Sequence, residues 1–173
     1  TIFANDDFLL VEQNLVGDDK HFVFVYHAAT RALLRQIELP MDVVSVCPLE
    51  QNRVLIFGNE QGQARVFDYD IATNGYWEPR QLPTGNIIDV VKMDGMTYGI
   101  AHEDGLYSYT YSPNYLNLIR PGVVYNDLCF DLDKGTIIGA SLNLLEELAP
   151  NGQVVNSVVH SENISSVDIH YTR

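Results

Sequence analysis

Apolar and polar residues alternate along most of this chain with a period of two, the mark of strands that bury one face. His21-Phe22-Val23-Phe24-Val25-Tyr26 and Arg53-Val54-Leu55-Ile56-Phe57 are rich in β-branched and aromatic residues, and Ala64-Arg65-Val66-Phe67-Asp68-Tyr69 alternates most clearly. Turn signals fall between such runs: Gly17-Asp18-Asp19, Glu60-Gln61-Gly62, Thr73-Asn74-Gly75, Pro83-Thr84-Gly85, Glu103-Asp104-Gly105, Pro121-Gly122, Asp133-Lys134-Gly135 and Pro150-Asn151-Gly152. No segment carries a 3.6-residue stripe. The best helical candidate, Leu142 to Leu148, is short and reads better as a strand followed by the turn at Asn151-Gly152. The pattern predicts an all-β meander.

A second, longer period lies over the first. Val44-Ser45-Val46-Cys47-Pro48-Leu49-Glu50, Ile88-Asp89-Val90-Val91-Lys92-Met93-Asp94, Asn126-Asp127-Leu128-Cys129-Phe130-Asp131-Leu132 and Ser165-Ser166-Val167-Asp168-Ile169-His170-Tyr171 stack on one another. Ser45, Asp89, Asp127 and Ser166 take equivalent places, about 44, 38 and 39 residues apart. Self-similarity near 40 residues marks a repeat architecture, and repeats of short strands point to the blades of a β-propeller. Each repeat divides into strands a to d: 43–49, 53–58, 63–69 and 77–82; then 87–93, 96–101, 106–111 and 116–120; then 125–131, 136–141, 144–148 and 153–159. The first repeat starts at strand b, Phe8-Leu9-Leu10-Val11, with c at 21–27 and d at 32–38, and the chain ends on a lone strand a, 165–171. Two arrangements fit: a compact four-bladed ring in which 165–171 supplies the missing strand of the first blade, or one part of a larger propeller. The expected fold is therefore all-β, a propeller of about four visible four-stranded blades. Residues 1–173 are expected to form a single propeller domain or part of one.

Three stretches resemble WD40-type repeats. Gly58-Asn59-Glu60-Gln61-Gly62-Gln63-Ala64-Arg65-Val66-Phe67-Asp68 is similar to the turn and third strand of such a blade, with Phe67-Asp68 where the family has Trp-Asp. Val25-Tyr26-His27-Ala28-Ala29-Thr30-Arg31-Ala32-Leu33-Leu34 resembles that strand and the turn into strand d, and Ala101-His102-Glu103-Asp104-Gly105-Leu106-Tyr107 is a third copy. Bacterial propeller repeats fit equally well. The Gly-His dipeptide that precedes strand a in WD40 repeats is absent, so the family's Asp–His–Ser/Thr–Trp network does not transfer. The resemblance implies a binding platform and carries over no active site.

Charge narrows the partners. The formal net charge is −13 over 173 residues, and Lys20, Lys92 and Lys134 are the only lysines. A surface that neutralises phosphates needs clustered Lys and Arg, so nucleic acid is not an expected partner, and anionic lipid is disfavoured for the same reason. No run of 18 apolar residues occurs, so no membrane insertion is expected. The stretch Thr1 to Asp7 has neither a basic nor an apolar leader region. Abundant Asn, Asp and Tyr with little Lys suggest an extracytoplasmic protein, at the periplasm or cell surface with its leader removed; a cytoplasmic protein is the alternative. Cys47 and Cys129 sit at equivalent places two repeats apart inside apolar strands, where free cysteine packs as a small hydrophobe.

Candidate chemistry is sparse. No nucleophile elbow, His-Glu-x-x-His, dinucleotide fingerprint or P-loop occurs, and no cofactor or metal is expected. Asp131-Leu132-Asp133-Lys134-Gly135 has the spacing of the start of a calcium loop, but Leu142 stands where the bidentate Glu belongs; turn chemistry explains the same residues. His102, Glu103 and Asp104 fall in a b–c turn, and His160 and Glu162, with Asn163, fall in a d–a connection. In a propeller both loop types emerge on one face at the channel mouth, so these five residues are the expected ligand-binding set. Solvated turns are the plainer explanation. The shared Ser/Asp position either lines a channel or satisfies backbone amides within the blade. Tyr76, Trp77, Tyr107, Tyr109, Tyr111, Tyr115, Tyr125 and Tyr171 suit an interface as well as inter-blade packing. Asn163-Ile164-Ser165 matches a glycosylation acceptor, relevant only to a secreted eukaryotic chain. Together these observations predict a non-enzymatic scaffold that binds a protein partner. The alternative is an extracytoplasmic propeller that binds or hydrolyses a carbohydrate or other polar small molecule.

Overall fold

The computed structural model describes residues 2–4, 7–14, 21–50 and 52–169. Among them there is no helix. The described residues include sixteen strands in four separate four-stranded antiparallel sheets, each a meander in chain order. The first sheet is β1 (Ile2–Ala4), β2 (Phe8–Asn14), β3 (His21–His27) and β4 (Leu33–Leu39); the second is β5 (Asp42–Glu50), β6 (Arg53–Glu60), β7 (Gln63–Asp70) and β8 (Gly75–Trp77). The third is β9 (Ile87–Lys92), β10 (Thr97–His102), β11 (Gly105–Thr110) and β12 (Tyr115–Pro121); the fourth is β13 (Asp127–Asp131), β14 (Thr136–Ser141), β15 (Leu144–Leu148) and β16 (Val154–Val159).

The chain divides into two compact units, residues 1–84 and 85–173. In the first unit, the β1–β4 and β5–β8 sheets share a core of Leu10, Val23, Val25, Ile37, Leu39, Val43, Val46, Val54, Ile56 and Tyr69. Alternation explains the choice: Val23 and Val25 are buried, while Phe24 and Tyr26 between and beyond them remain half-buried. In the second unit, Met93, Ala101 and Leu106 pack against Tyr125, Leu128, Ile137 and Leu148. Tyr125 lies flat on β14 because residue 139 is glycine; a Cβ there would stand 2.5 Å from the ring. Within each unit the first strands of the two sheets neighbour one another, β1 by β5 and β9 by β13.

Three sequence expectations are corrected. The first repeat does have a strand a: β1 pairs with β2 through Ile2↔Val11, Phe3↔Leu10 and Ala4↔Leu9. Three residues are too short a run to show a period, so the segment escaped the pattern. The place reserved for 165–171 is therefore filled by β1. Residues 165–169 form no strand, and 170 and 171 lie outside the described residues. The second strand d is Gly75–Trp77 instead of 77–82, because Pro79 has no N–H to continue the ladder.

Candidate functional site

The b–c turn of the third sheet gathers three of the five expected site residues. β10 runs one residue further than the pattern suggested, so His102 closes the strand, opposite Gly105, instead of opening the turn. Its ring is buried, 2 % exposed. Nδ1 lies 2.5 Å from Asp104 Oδ1, and Tyr107 donates its hydroxyl to the other carboxylate oxygen at 2.7 Å. The imidazole and the Tyr107 ring meet edge to face at 5.5 Å. The Nε2 atom is buried without a hydrogen-bond partner. It faces Gly85, whose backbone has φ of +120°; a Cβ at Gly85 would stand 2.9 Å from Nε2. Glycine is required there twice over, by conformation and by this close approach. Glu103 points outward and accepts from Asn86 Nδ2 at 2.7 Å.

These contacts set the electrostatics. Burial raises the Asp104 carboxyl, but the hydrogen bonds from Tyr107 and His102 outweigh it and hold the group below the ordinary carboxylate range. Burial, reinforced by the Asp104 carboxylate, pushes the Tyr107 phenol up to about 12. The Asn86 amide lowers Glu103. The turn is thus a His–Asp–Tyr chain with one carboxylate exposed beside it.

His160 and Glu162 are exposed and belong to a different turn. The His160 amide donates to Asn143 O at 2.8 Å, and Asn143 Nδ2 donates back to His160 O at 3.0 Å. The structure therefore brings His102, Glu103 and Asp104 together and ties His160 to the b–c turn of the fourth sheet. Asp131 closes its own turn: its Oδ1 accepts from the amides of Asp133 and Lys134 at 3.0 and 3.1 Å. Cys129 is half-buried, and burial pushes its thiol up to about 11, which removes thiolate character at neutral pH.

The repeated Asp position has a role that sequence left open. Asp89 Oδ2 accepts the amide of Leu128, in the next sheet, at 2.7 Å. Asp127 Oδ2 accepts the amide of Val167, one repeat further on, at 2.6 Å. Asp89 Oδ1 also accepts the amide of Val90 in its own strand at 2.8 Å, so this carboxylate satisfies one amide within the blade and one in the next repeat. Desolvation, with Asp127 nearby, raises the Asp89 carboxyl. A second inter-sheet link was missed altogether. Arg120 of β12 donates to Glu146 of β15 at 2.8 Å, and Tyr125 donates its hydroxyl to the same carboxylate. Glu146 is 4 % exposed. The signal for it was the pair Glu146-Glu147 inside a strand, where alternation forces one of two adjacent acids inward.

No family model matches this sequence, and no curated protein is similar to it. Its likenesses are to solved structures. The WD40 domain of Neurospora crassa Pan2 superposes with a TM-score of 0.70 at 10% identity, covering 92% of this chain and 49% of that one. TolB from Acinetobacter baumannii gives 0.69 at 11% identity, over 91% of this chain and 41% of that one. The extracellular domain of a Bacteroides thetaiotaomicron protein gives 0.65 at 16% identity, over 88% of this chain and 21% of that one. The fold is a β-propeller. The chain spans half or less of each of these structures. The blades are the four sheets, with strands a to d running in chain order. Propeller aromatics divide as packing requires: Tyr107, Tyr109 and Tyr125 are buried within the second unit, whereas Tyr76, Trp77 and Tyr115 on outer strands are 48%, 46% and 59% exposed. Tyr171 lies outside the described residues.

Proposed function

We propose that this propeller is a non-enzymatic module that binds protein partners through its outer strands. One observation carries the reading: β8, β12 and β16 present Tyr76 and Trp77, Tyr115 and Leu118, and Val155 and Val159 to solvent. Aromatic and branched apolar groups on a strongly acidic surface suit desolvation against a partner better than solubility alone. The three structural likenesses support a binding platform through fold alone. The test is affinity capture with the wild-type chain and with a Trp77→Ser/Tyr115→Ser variant of equal thermal stability. A stoichiometric protein retained by the first and lost by the second is expected; turnover of a hydrolase substrate, or no protein retained by either, contradicts the reading.

A second reading rests on the unpartnered, buried Nε2 of His102. A polar small molecule, such as a carbohydrate, would be held by His102, Glu103 and Asp104, with His160 and Glu162 on a separate turn outside the cluster. Thermal stabilisation by a glycan, abolished by Glu103→Ala and unchanged by Glu162→Ala, would favour it. We place the protein outside the cytoplasm, a reading supported by its likeness to an extracellular domain; intact-cell protease accessibility tests that placement.

A further inference from the structure

The contacts of the His102 ring fix its tautomer. Asp104 Oδ1 lies 2.5 Å from Nδ1, and an ionised carboxylate only accepts, so the proton between them belongs to Nδ1. The Asp104 amide is also near Nδ1, at 3.3 Å, too long a contact to displace that proton. Tyr107 donates to the other Asp104 oxygen at 2.7 Å, and a phenol pushed up to about 12 by burial keeps its hydrogen. The bare nitrogen is therefore Nε2, a buried lone pair that no donor meets. One further group borders it. A Cβ at Gly85 would stand 2.9 Å from Nε2 and 3.1 Å from Glu103 Oε2, so these two atoms edge the same small space, which glycine leaves free. Glu103 is exposed, and its other oxygen, Oε1, accepts from Asn86 Nδ2 at 2.7 Å.

We infer that His102 is a proton-operated latch: a second proton, taken up at Nε2, draws Glu103 Oε2 onto the ring and ties the connection that leads into β9, at Asn86, to strand β11. The proton comes from solvent, and exposed Glu103 stands beside its point of entry. An N–H replaces the lone pair, and no existing hydrogen bond is given up. Oε1 keeps Asn86, Oε2 accepts from Nε2, and Nδ1 stays on Asp104. The chain Tyr107–Asp104–His102–Glu103–Asn86 then runs unbroken. The latch needs no ligand and is independent of both functional readings above.

The groups around the ring suit this role. Asp104 and Glu103 of its own turn and Tyr107 of β11 are the titratable ones. Gly85 and Asn86 on the connection, and Ile87 and Gly105, its ladder partners, carry no charge. Asn86 lowers Glu103, and at Asp104 burial is outweighed by the hydrogen bonds from Tyr107 and His102. Both carboxylates therefore stay ionised across the range in which imidazoles titrate, and the Tyr107 phenol stays neutral there. The ring alone is left to carry a change of charge in that range. Once protonated it has a carboxylate for each nitrogen, whereas the neutral ring leaves Nε2 unmet.

Two measurements on the intact chain test the latch, each made at about pH 7.5 and at about pH 5.5. Long-range proton–nitrogen spectra of the labelled imidazoles report which ring nitrogens carry hydrogen. His102 is expected to show a bare Nε2 at the higher pH and two protonated nitrogens at the lower. Residue-resolved amide exchange, corrected for the intrinsic rate at each pH, reports the closure. The amide of residue 103 donates to Asn86 O at 3.2 Å and should gain about tenfold protection at the lower pH, the effect of one added charge-assisted bond. The Gly152 amide, which donates to Ala149 O at 2.8 Å in a turn of the fourth sheet, should gain none. Glu103→Ala, at an exposed position, should abolish the gain at residue 103. His102→Gln should do the same, and where that variant fails to fold Glu103→Ala decides. A proton already on Nε2 at the higher pH, or an Nε2 still bare at the lower, would overturn the inference. So would protection at residue 103 that does not rise, that rises equally in Glu103→Ala, or that rises no more than at Gly152.

Discussion

The two units solve one problem with different chemistry. In each, an arginine on the outer strand of one blade reaches across to the next. In the first unit Arg35 of β4 donates to two backbone carbonyls, Ile71 O at 2.5 Å and Ala72 O at 3.0 Å. In the second, Arg120 of β12 donates to Glu146, a carboxylate buried beneath Tyr125. The Ala72 carbonyl is exposed and finds water when it loses its donor, and a neutral carbonyl at Ile71 costs less to leave unpaired than a charge. A carboxylate that is 4% exposed finds no water. An outer-strand arginine is thus a replaceable clip near the c–d turn of one unit and, near the b–c turn of the other, a condition for burying a charge.

The largest effect should follow Arg120→Ala, which strands Glu146. We expect a loss of about 3 kcal/mol in denaturant unfolding, reduced somewhat because Arg120 is partly exposed. The double variant Arg120→Met/Glu146→Leu should recover most of that loss by removing both charges, and failure to recover would break the comparison. Arg35→Ala should cost less, about 1–2 kcal/mol, since only backbone acceptors lose a partner. Tyr107→Phe should cost about 1 kcal/mol and also weaken the acid resistance of the turn. Asp104 is held below the ordinary carboxylate range, so its stabilising contribution is present at neutral pH and is lost as pH falls through its folded value. With the phenol gone, that loss should begin at higher pH in a stability titration. The smallest effect belongs to Asp127→Asn. Asp89 is raised in the fold, so its contribution is fully present below the ordinary carboxylate value and declines as pH rises through the folded one. Removing the neighbouring charge should stabilise the chain at pH 7 by roughly 0.5 kcal/mol, and the gain should vanish at acid pH.

Period-two alternation made strands such as β3 legible, where Val23 and Val25 are buried beside a half-buried Phe24, whereas β6 and β10 bury both faces and were legible as apolar, β-branched runs. It failed where the ladder stops for a reason other than polarity, as at Pro79, or where a strand is too short to have a period, as at Ile2–Ala4. The 40-residue repeat flagged Asp89 and Asp127 as special but could not reveal their distant partners, because the Leu128 and Val167 amides belong to the following repeat. His102 was read as a turn residue on the strength of Glu103-Asp104-Gly105; one more ladder pair with Gly105 turns it inward. Arg120 and Glu146 are 26 residues apart on different blades, and no local pattern joins them.

The account depends most on the claim that each Asp of the repeated position holds the opening segment of the next repeat, β13 for Asp89 and residues 164–169 for Asp127. Residue-resolved amide exchange on Asp89→Ala and Asp127→Ala tests it directly. Asp89→Ala should speed exchange at Leu128 and leave Val167 unchanged, and Asp127→Ala should do the opposite. Equal protection of both amides in both variants would contradict it.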